Sequence, residues 1–402
     1  MVAIRKRTWT TKKGGMRTAW AVDFVDMSGC RERHQFATKR EADAFRVKVE
    51  SDLRSGTYRP DAHTVTVRET ADLFLENCTA RFERGERMTR HNLAVYSGHV
   101  RNYICADRNL VTNRPPRAVA FDAGIGSIKL AQLSASKVGD LRDRLRSAGV
   151  SVPTVRKILA TLHVMLEFAV SRDLIAVNPA RRVKVIGPRG EGPKKVAPPS
   201  REVLRRLIAV ADPDFRRVLI LASATGLRAG ELHALRWKHL DLKTGQVLVE
   251  TRVDAYNEED VTKTAAGMRT LPLGADVVSM LKKWRLQSPY SDQGDLVFPN
   301  ARGGYTCHGN MVKRKFKPLF EHLASLHCQD PDGHPPAPKR FTWHALRHFA
   351  ISSWIDAGLT PKTVQTFAGH SSLQVTMDRY GHLFPSDDHK KAMDAISQGL
   401  VS

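Results

Sequence analysis

The chain has 402 residues, 42% of them hydrophobic, which is more than one hydrophobic core usually holds and predicts two or three domains. Its 64 Lys and Arg outnumber its 41 Asp and Glu, for a formal net charge of +23; an excess that large points to a polyanionic partner, above all nucleic acid, but leaves ribosomal and architectural roles open beside catalytic ones. Five cysteines without a CxxC pair argue against a disulfide framework, and the lack of a signal-peptide core or of an apolar run of about 18 residues predicts a soluble chain that is neither exported nor membrane-spanning.

Residues 1–60 read as a unit of their own. "AIRKRTW", "MRTAWAVDFVD" and "RERHQFA" are strand candidates separated by turn signals at Gly14-Gly15 and Ser28-Gly29. "TKRE" (38–41) is a capping box that opens a helix running to about Ser55. A basic three-stranded sheet with one helix suits a DNA surface; the plainer alternative is a basic tail that only adds affinity. "SGTYRPDAHT" (55–64) reads as a linker. "TVRE" (66–69) opens a further helix with Val67, Ala71, Phe74, Leu75 and Cys78 facing inward. Leu93, Tyr96, Val100 and Tyr103 mark a second helix, and Leu133, Val138, Leu141 and Leu145 a third. Val155, Ile158, Leu159, Leu162, Met165, Leu166 and Ala169 make the strongest one, closed near Asn178-Pro179. These predict a four-helix domain over 65–180. "GPRGEGPKKVAPPS" (187–200) has no periodicity and reads as an extended linker.

Beyond it, helices are predicted at 201–211, 214–225, 228–236, 274–286, 308–326, 342–357, 361–368 and 386–398. "GQVLVETRV", "DVTKT" and "MRTLPL" read as a short antiparallel sheet. Five segments in this region carry reactive side chains. "ATGLRAGEL" (224–232) sets Gly226 ahead of a helix start, with Arg228 and Glu231 at i, i+3. "VTKTAAGMRTLPL" (261–273) reads as a hairpin with Lys263 ahead of the turn. "TWHALRHFAISSW" (342–354) puts His344, Arg347 and His348 on one helical face, with Thr342 as N-cap and Trp343, Leu346, Ala350, Ile351 and Trp354 on the opposite stripe. Taken alone, that stretch reads equally well as a surface helix with a solvated basic face. In "LTPKTVQTFAGHSS", Thr360-Pro361 starts a helix and Gly369 stops it, which presents His370 just past the end. "TMDRYGH" (376–382) carries Tyr380.

No metal signature accounts for these residues. His344 and His348 lack the glutamate of HExxH and have an arginine beside them, and His322, His327, Cys328 and His334 fit no standard zinc spacing. No Walker-type loop occurs. Arginines, a lysine and histidines around a tyrosine instead suit metal-free attack on a phosphodiester. Such a reaction needs bidentate stabilisation of the non-bridging oxygens, a nucleophile, and an acid for the leaving 5′ oxygen.

The ordered set Arg228, Lys263, His344, Arg347, His370 and Tyr380, in the "TGLRAGEL" and "GHSSLQVTMDRYGH" contexts, resembles the catalytic set of the tyrosine recombinases, the phage-integrase family, over about 180–395. The resemblance implies an α+β multidomain chain. Its parts would be an arm-type DNA-binding domain over 1–60 (small sheet plus helix), a helical core-binding (SAM-like) domain over 65–180, and a mainly helical catalytic domain with a small antiparallel sheet over 201–402. It further implies that Arg228 and Arg347 clamp the scissile phosphate, that His344 and His370 hydrogen-bond the transition state, and that His344 takes the tyrosine proton. Lys263 would protonate the leaving oxygen, with Lys243 as the fallback. Tyr380 would form a 3′-phosphotyrosyl bond, with Tyr305 as the next candidate nucleophile. Glu231 orients the site and His348 supports the helix face. The phosphotyrosyl link keeps the phosphodiester's energy, so no cofactor, ATP or metal is implied.

The expected partners are double-stranded DNA at core and arm sites, further copies in a synaptic homo-tetramer, and DNA-bending or directionality proteins, with no membrane. The expected setting is a prokaryotic cytoplasm, associated with the nucleoid. The reading is a site-specific integrase of a phage or mobile element. An Xer-like chromosome-dimer resolvase is the nearest alternative, a type IB topoisomerase shares only the tyrosine chemistry, and a non-catalytic DNA-binding regulator is the alternative from another class.

Overall fold

A computed structural model describes residues 2–10, 15–26, 29–106, 121–189, 196–261 and 265–384, with Met393 and Ser397. The chain divides into two compact units, residues 1–191 and 192–402.

In the first unit, β1 (Ala3–Thr10), β2 (Met16–Val25) and β3 (Arg31–Phe36) form an antiparallel meander in which Arg7 faces Ala19 and Arg33 faces Asp23. Helix α1 (Lys39–Arg54) starts at the capping box of Thr38 with Glu41 and covers one face of this sheet, burying Val22, Phe24, Ala42, Val49 and Tyr58. Alternation along the strands sends Arg5, Arg7, Arg17, Arg31 and Arg33 to the other face. A second core lies among α2 (Val67–Glu83), α3 (Arg90–His99), α4 (Ala135–Ser147) and α5 (Val152–Ser171), with a wider π-turn over Val100–Ile104 continuing α3. Thr66 and Glu69 close the capping box that the sequence shows, an arrangement worth on the order of 1 kcal/mol. Helix α5 ends at Ser171, several residues before Asn178-Pro179, because Asp173 turns into the left-handed region at φ 55°. Residues 55–64 are not a free linker. Tyr58 is buried in the sheet's core, Pro60–His63 form a 3-10 turn whose Ala62 enters the helical core, and Arg59 pairs with Asp173 at 3.2 Å.

The second unit runs α6 (Arg201–Val210), α7 (Pro213–Thr225) and α8 (Ala229–His233), then β4 (Leu240–Asp241), β5 (Gln246–Val249), β6 (Thr251–Val253), β7 (Glu259–Val261) and β8 (Arg269–Pro272). Helices α9 (Ala275–Gln287), α10 (His308–Met311), α11 (Lys317–Gln329), α12 (His344–Asp356), α13 (Pro361–Ala368) and α14 (Leu373–Tyr380) follow. Its main core gathers Phe215, Leu219, Trp237, Leu271, Leu281, Phe316 and Leu346.

Four expectations change here. The expected single sheet is two, β4-β5-β8 and β6-β7, so β7 pairs with β6 and β8 with β5 instead of forming one hairpin with each other. The helix expected at 308–326 is interrupted by a π-turn over Val312–Phe316, just ahead of Pro318, whose ring nitrogen has no hydrogen to give the turn before it. Residues 373–380, not expected as helical, are α14. Thr342 is not the N-cap of α12: the cap position is Trp343, with no side-chain hydrogen bond. Of the linker at 187–200, residues 190–195 lie outside the described residues, and so does nearly all of the helix expected at 386–398. No helix among the described residues is long and apolar enough to cross a membrane.

Candidate active site

Two glycines and two arginines fix the centre of the second unit. Helix α7 ends at Gly226 in the left-handed conformation, φ 59°, and α13 ends likewise at Gly369, φ 62°. Each helix end leaves carbonyls without an intrahelical partner. Arg347, on α12, donates from Nη1 to the Gly226 carbonyl at 2.8 Å and from Nη2 to the Ala368 carbonyl. Arg228, just ahead of α8, donates from Nη2 to the Gly369 carbonyl at 2.9 Å. A side chain at Gly226 would press on Ala350 and Trp354, and one at Gly369 would meet the Arg269 guanidinium at 2.9 Å. Both positions therefore need glycine for space as well as for φ.

Glu231 is buried beneath these arginines. It accepts from Arg228 Nη1 at 2.7 Å, from the Arg228 backbone N–H at 2.9 Å, and from Arg269 Nη1 and Nη2 at 3.2 and 2.8 Å. Arg269 also donates from Nε to the Phe367 carbonyl and from Nη1 to the Gly267 carbonyl. Burial alone would raise the Glu231 carboxyl; the Arg269 hydrogen bonds and charge, with Arg228 behind them, overcome it and hold the group at about 2. Arg347 is 3% exposed and, among the described residues, makes no ion pair with a carboxylate. Burial and then the Arg228 charge lower it to about 9. A buried cation satisfied only by carbonyl dipoles leaves a positive field for an anion to neutralise.

Tyr380, the last residue of α14, is 1% exposed, among Ile351, Ile355, Val364 and Ala368. His348 Nδ1 lies 2.6 Å from its hydroxyl, and the His370 ring stacks on its ring at 6.2 Å and 15°. Burial raises the Tyr380 phenol above its usual 10, against the opposing charges of Arg347 and Arg379. His370 is buried, with Nδ1 2.9 Å from Thr376 Oγ1; burial and the charges of Arg347, Arg228, Arg379 and Arg269 push it down to about 3. His344 opens toward solvent and stands edge-on to His348 at 4.8 Å. The protein packed around its ring, then His348, Arg347, Arg379 and Arg228, push it down to about 4. All three histidines are lowered and enter neutral solution uncharged.

Residues 200–387 match the model of the phage integrase family. Over 377 residues, covering 87% of each protein, the chain is 23% identical to a "Tyrosine recombinase XerC-like" protein of Caldanaerobacter subterraneus subsp. tengcongensis. It is 24% identical to the ICEBs1 integrase of Bacillus subtilis, over 65% of this chain and 70% of that one. The fold is similar to a Tn1549 transposon integrase fragment solved with transposon right end DNA, with TM-score 0.61, 19% identity, and coverage of 83% of this chain and 100% of that one. It is also similar to a lambda integrase dimer bound to a core site, with TM-score 0.52, 14% identity and 95% of each chain covered. The chain carries a phage integrase family domain over residues 200–387, and the matches together support a tyrosine recombinase of the integrase type. It is an enzyme of site-specific recombination that cleaves DNA and transfers strands, and the Xer-type resolvase reading is not favoured over the integrase one.

The integrase brings together Arg228, Glu231, His344, Arg347, His348, His370 and Tyr380 from the sequence-predicted set. Lys263 lies outside the described residues. The fallbacks lie elsewhere: Lys243 is exposed in the β4–β5 turn, and Tyr305 belongs to a separate cluster with Arg236 and Glu259. Among the described residues no three His, Cys, Asp or Glu side chains converge as metal ligands. Two features escape sequence reasoning. Arg269 has a usable signal, since alternation with buried Leu271 puts it on the inward face of β8. The contact of His348 with Tyr380 has none, because positions 344 and 348 share one helical face and only the placement of α14 separates them.

Proposed function

We propose that the integrase cuts DNA with Tyr380 as nucleophile and holds the scissile phosphate with Arg228 and Arg347. The observation that carries this reading is the buried Tyr380 hydroxyl set near an arginine that, among the described residues, has no carboxylate of its own. The phosphate would approach the two guanidinium groups, with His370 and His344 donating to its oxygens as neutral imidazoles. Glu231, clamped by Arg269, orients Arg228. Lys263 protonates the leaving 5′ oxygen, a role that its chemistry and its place in the sequence support. Attack leaves a 3′-phosphotyrosyl bond and a 5′ hydroxyl, and a 5′ hydroxyl from a second duplex reverses the step.

In this reading residues 1–60 bind arm-type sites through the basic outer face of β1-β2-β3, residues 65–180 bind the core site, residues 201–402 cut it, and four copies act in the synaptic complex. Solved relatives support the DNA and the assembly: one is a lambda integrase tetramer on a Holliday junction. Mobile-element relatives support integration and excision of a phage or element; the setting in this reading is a prokaryotic cytoplasm, with accessory proteins setting direction.

The test uses the full chain with nicked suicide duplexes carrying a core site, mapped by footprinting DNA from the flanks of its gene. Wild type yields a covalent adduct on a denaturing gel and Tyr380→Phe binds without one. Persistent adduct in that variant would mean that another tyrosine attacks.

A further inference from the structure

We infer that His348, and not His344, is the base that takes the proton from Tyr380. The inference rests on Tyr380 being the nucleophile. Both histidines lie on the same face of α12, yet only one has its nitrogen on the reacting oxygen: His348 Nδ1 stands 2.6 Å from the phenol oxygen, within the range for direct proton transfer. His344 packs edge-on against that imidazole at 4.8 Å and lies open to solvent. Its position suits a donor to a phosphate oxygen better than an acceptor for a buried phenol.

The surroundings keep His348 free to accept. The groups facing it are His344 and Arg347 on its own helix and Arg379 and Tyr380 on α14, while the His370 ring stacks on Tyr380. Burial, Arg379 and Arg347 all lower its pKa, so the imidazole is neutral before DNA arrives. Acting as base, it carries its one proton on Nε2 and receives the second on Nδ1.

The step balances without a further reactant. As the Tyr380 oxygen bonds to phosphorus, its proton passes to His348; the bond from phosphorus to the 5′ oxygen breaks, and that oxygen takes a proton from the acid assigned to Lys263. On religation, the incoming 5′ hydroxyl gives its proton to that lysine and attacks phosphorus, and Tyr380 leaves, recovering its proton from His348. Because Tyr380 is 1% exposed and His348 only partly exposed, the proton can be held between the two side chains and returned.

Single-turnover adduct formation from pH 6 to 9, on the suicide duplex, separates this assignment from a structural one. The wild-type rate should be flat above about pH 7, since the base is already neutral there. His348→Leu should lower the neutral-pH rate by about 10²–10⁴-fold and make it climb about tenfold per pH unit, because the phenol must then ionise unaided. His348→Asn keeps an acceptor oxygen near the phenol but cannot hold the proton, and should show the same slope. His344→Asn should keep a flat profile. A flat profile in both His348 variants, or its restoration by asparagine, would overturn the base assignment while leaving Tyr380 as nucleophile. Adduct persisting in Tyr380→Phe would overturn the nucleophile and this inference with it.

Discussion

Arg269 does as much to define the site as any residue expected to touch DNA. Its guanidinium holds Glu231 and two carbonyls at once, one of them from α13. Arg269→Ala leaves Glu231 buried with only Arg228 as partner and should destabilise the integrase by about 3–5 kcal/mol in urea unfolding. Arg269→Lys cannot reproduce the fork and should recover only part of that. Acid acts through the same carboxylate. Glu231 is held below its ordinary 4.5, at about 2, so its contribution is complete above the ordinary value and disappears as pH falls through the lowered one. That window represents roughly 3 kcal/mol. The lowered histidines act in the same direction from higher pH: buried His370 and His233, at about 3 and 4, are neutral when folded and protonated below about 6.5 when unfolded. Unfolding free energy measured against pH should therefore fall from about 6.5 downward and steepen below 4.5, with the steeper part missing in Glu231→Gln. A curve flat down to pH 4 would contradict these assignments.

Among the elements, those whose start and stop are written in a few adjacent residues are legible in the sequence. The two capping boxes, the Thr360-Pro361 start and the Gly369 stop all fold as read. What is not legible depends on partners far along the chain. The split of one expected sheet into two follows from β8 choosing β5, and the joint at 55–64 is ordered by cores on both sides of it. Helix α14 carries a readable pattern, since Leu373, Thr376, Met377 and Tyr380 recur at helical spacing, but a tyrosine suited to be a nucleophile does not advertise itself as a core residue. The glycine stops make a sharp prediction. Gly369→Ala forces a left-handed alanine, costing about 1–2 kcal/mol, and pushes on Arg269. Its melting temperature should drop modestly, while adduct formation should fall much further, because the carbonyl that Arg228 grips moves. Equal losses in both measurements would show that the glycine serves only the helix end.

For the whole molecule, charge and the packed joint set the expectations. Ala62 belongs to the helical core and Tyr58 to the sheet's, so removing the N-terminal sheet and its helix means starting the chain at Arg59, at the loss of the ring contacts of His63. That shortened integrase should still form adduct on a core-site duplex but lose recombination of full-length sites. Its affinity for long DNA should also depend less steeply on salt, by about 0.9 in log–log slope for each phosphate that the sheet no longer neutralises. Unchanged footprints and slopes would mean that the basic sheet face does not touch DNA.

The crossed grip of arginines on glycine carbonyls has a consequence in time. Arg347 reaches back 121 residues to Gly226, and Arg228 waits for a carbonyl 141 residues ahead. Loops that long close late, after local helices have formed. A growing chain on the ribosome therefore carries its first arginine and its glutamate through 141 further residues before the carbonyl that Arg228 grips is made. On the proposed reading Tyr380 is made later still, so a chain abandoned before it would keep a basic surface for DNA without the group that cuts it.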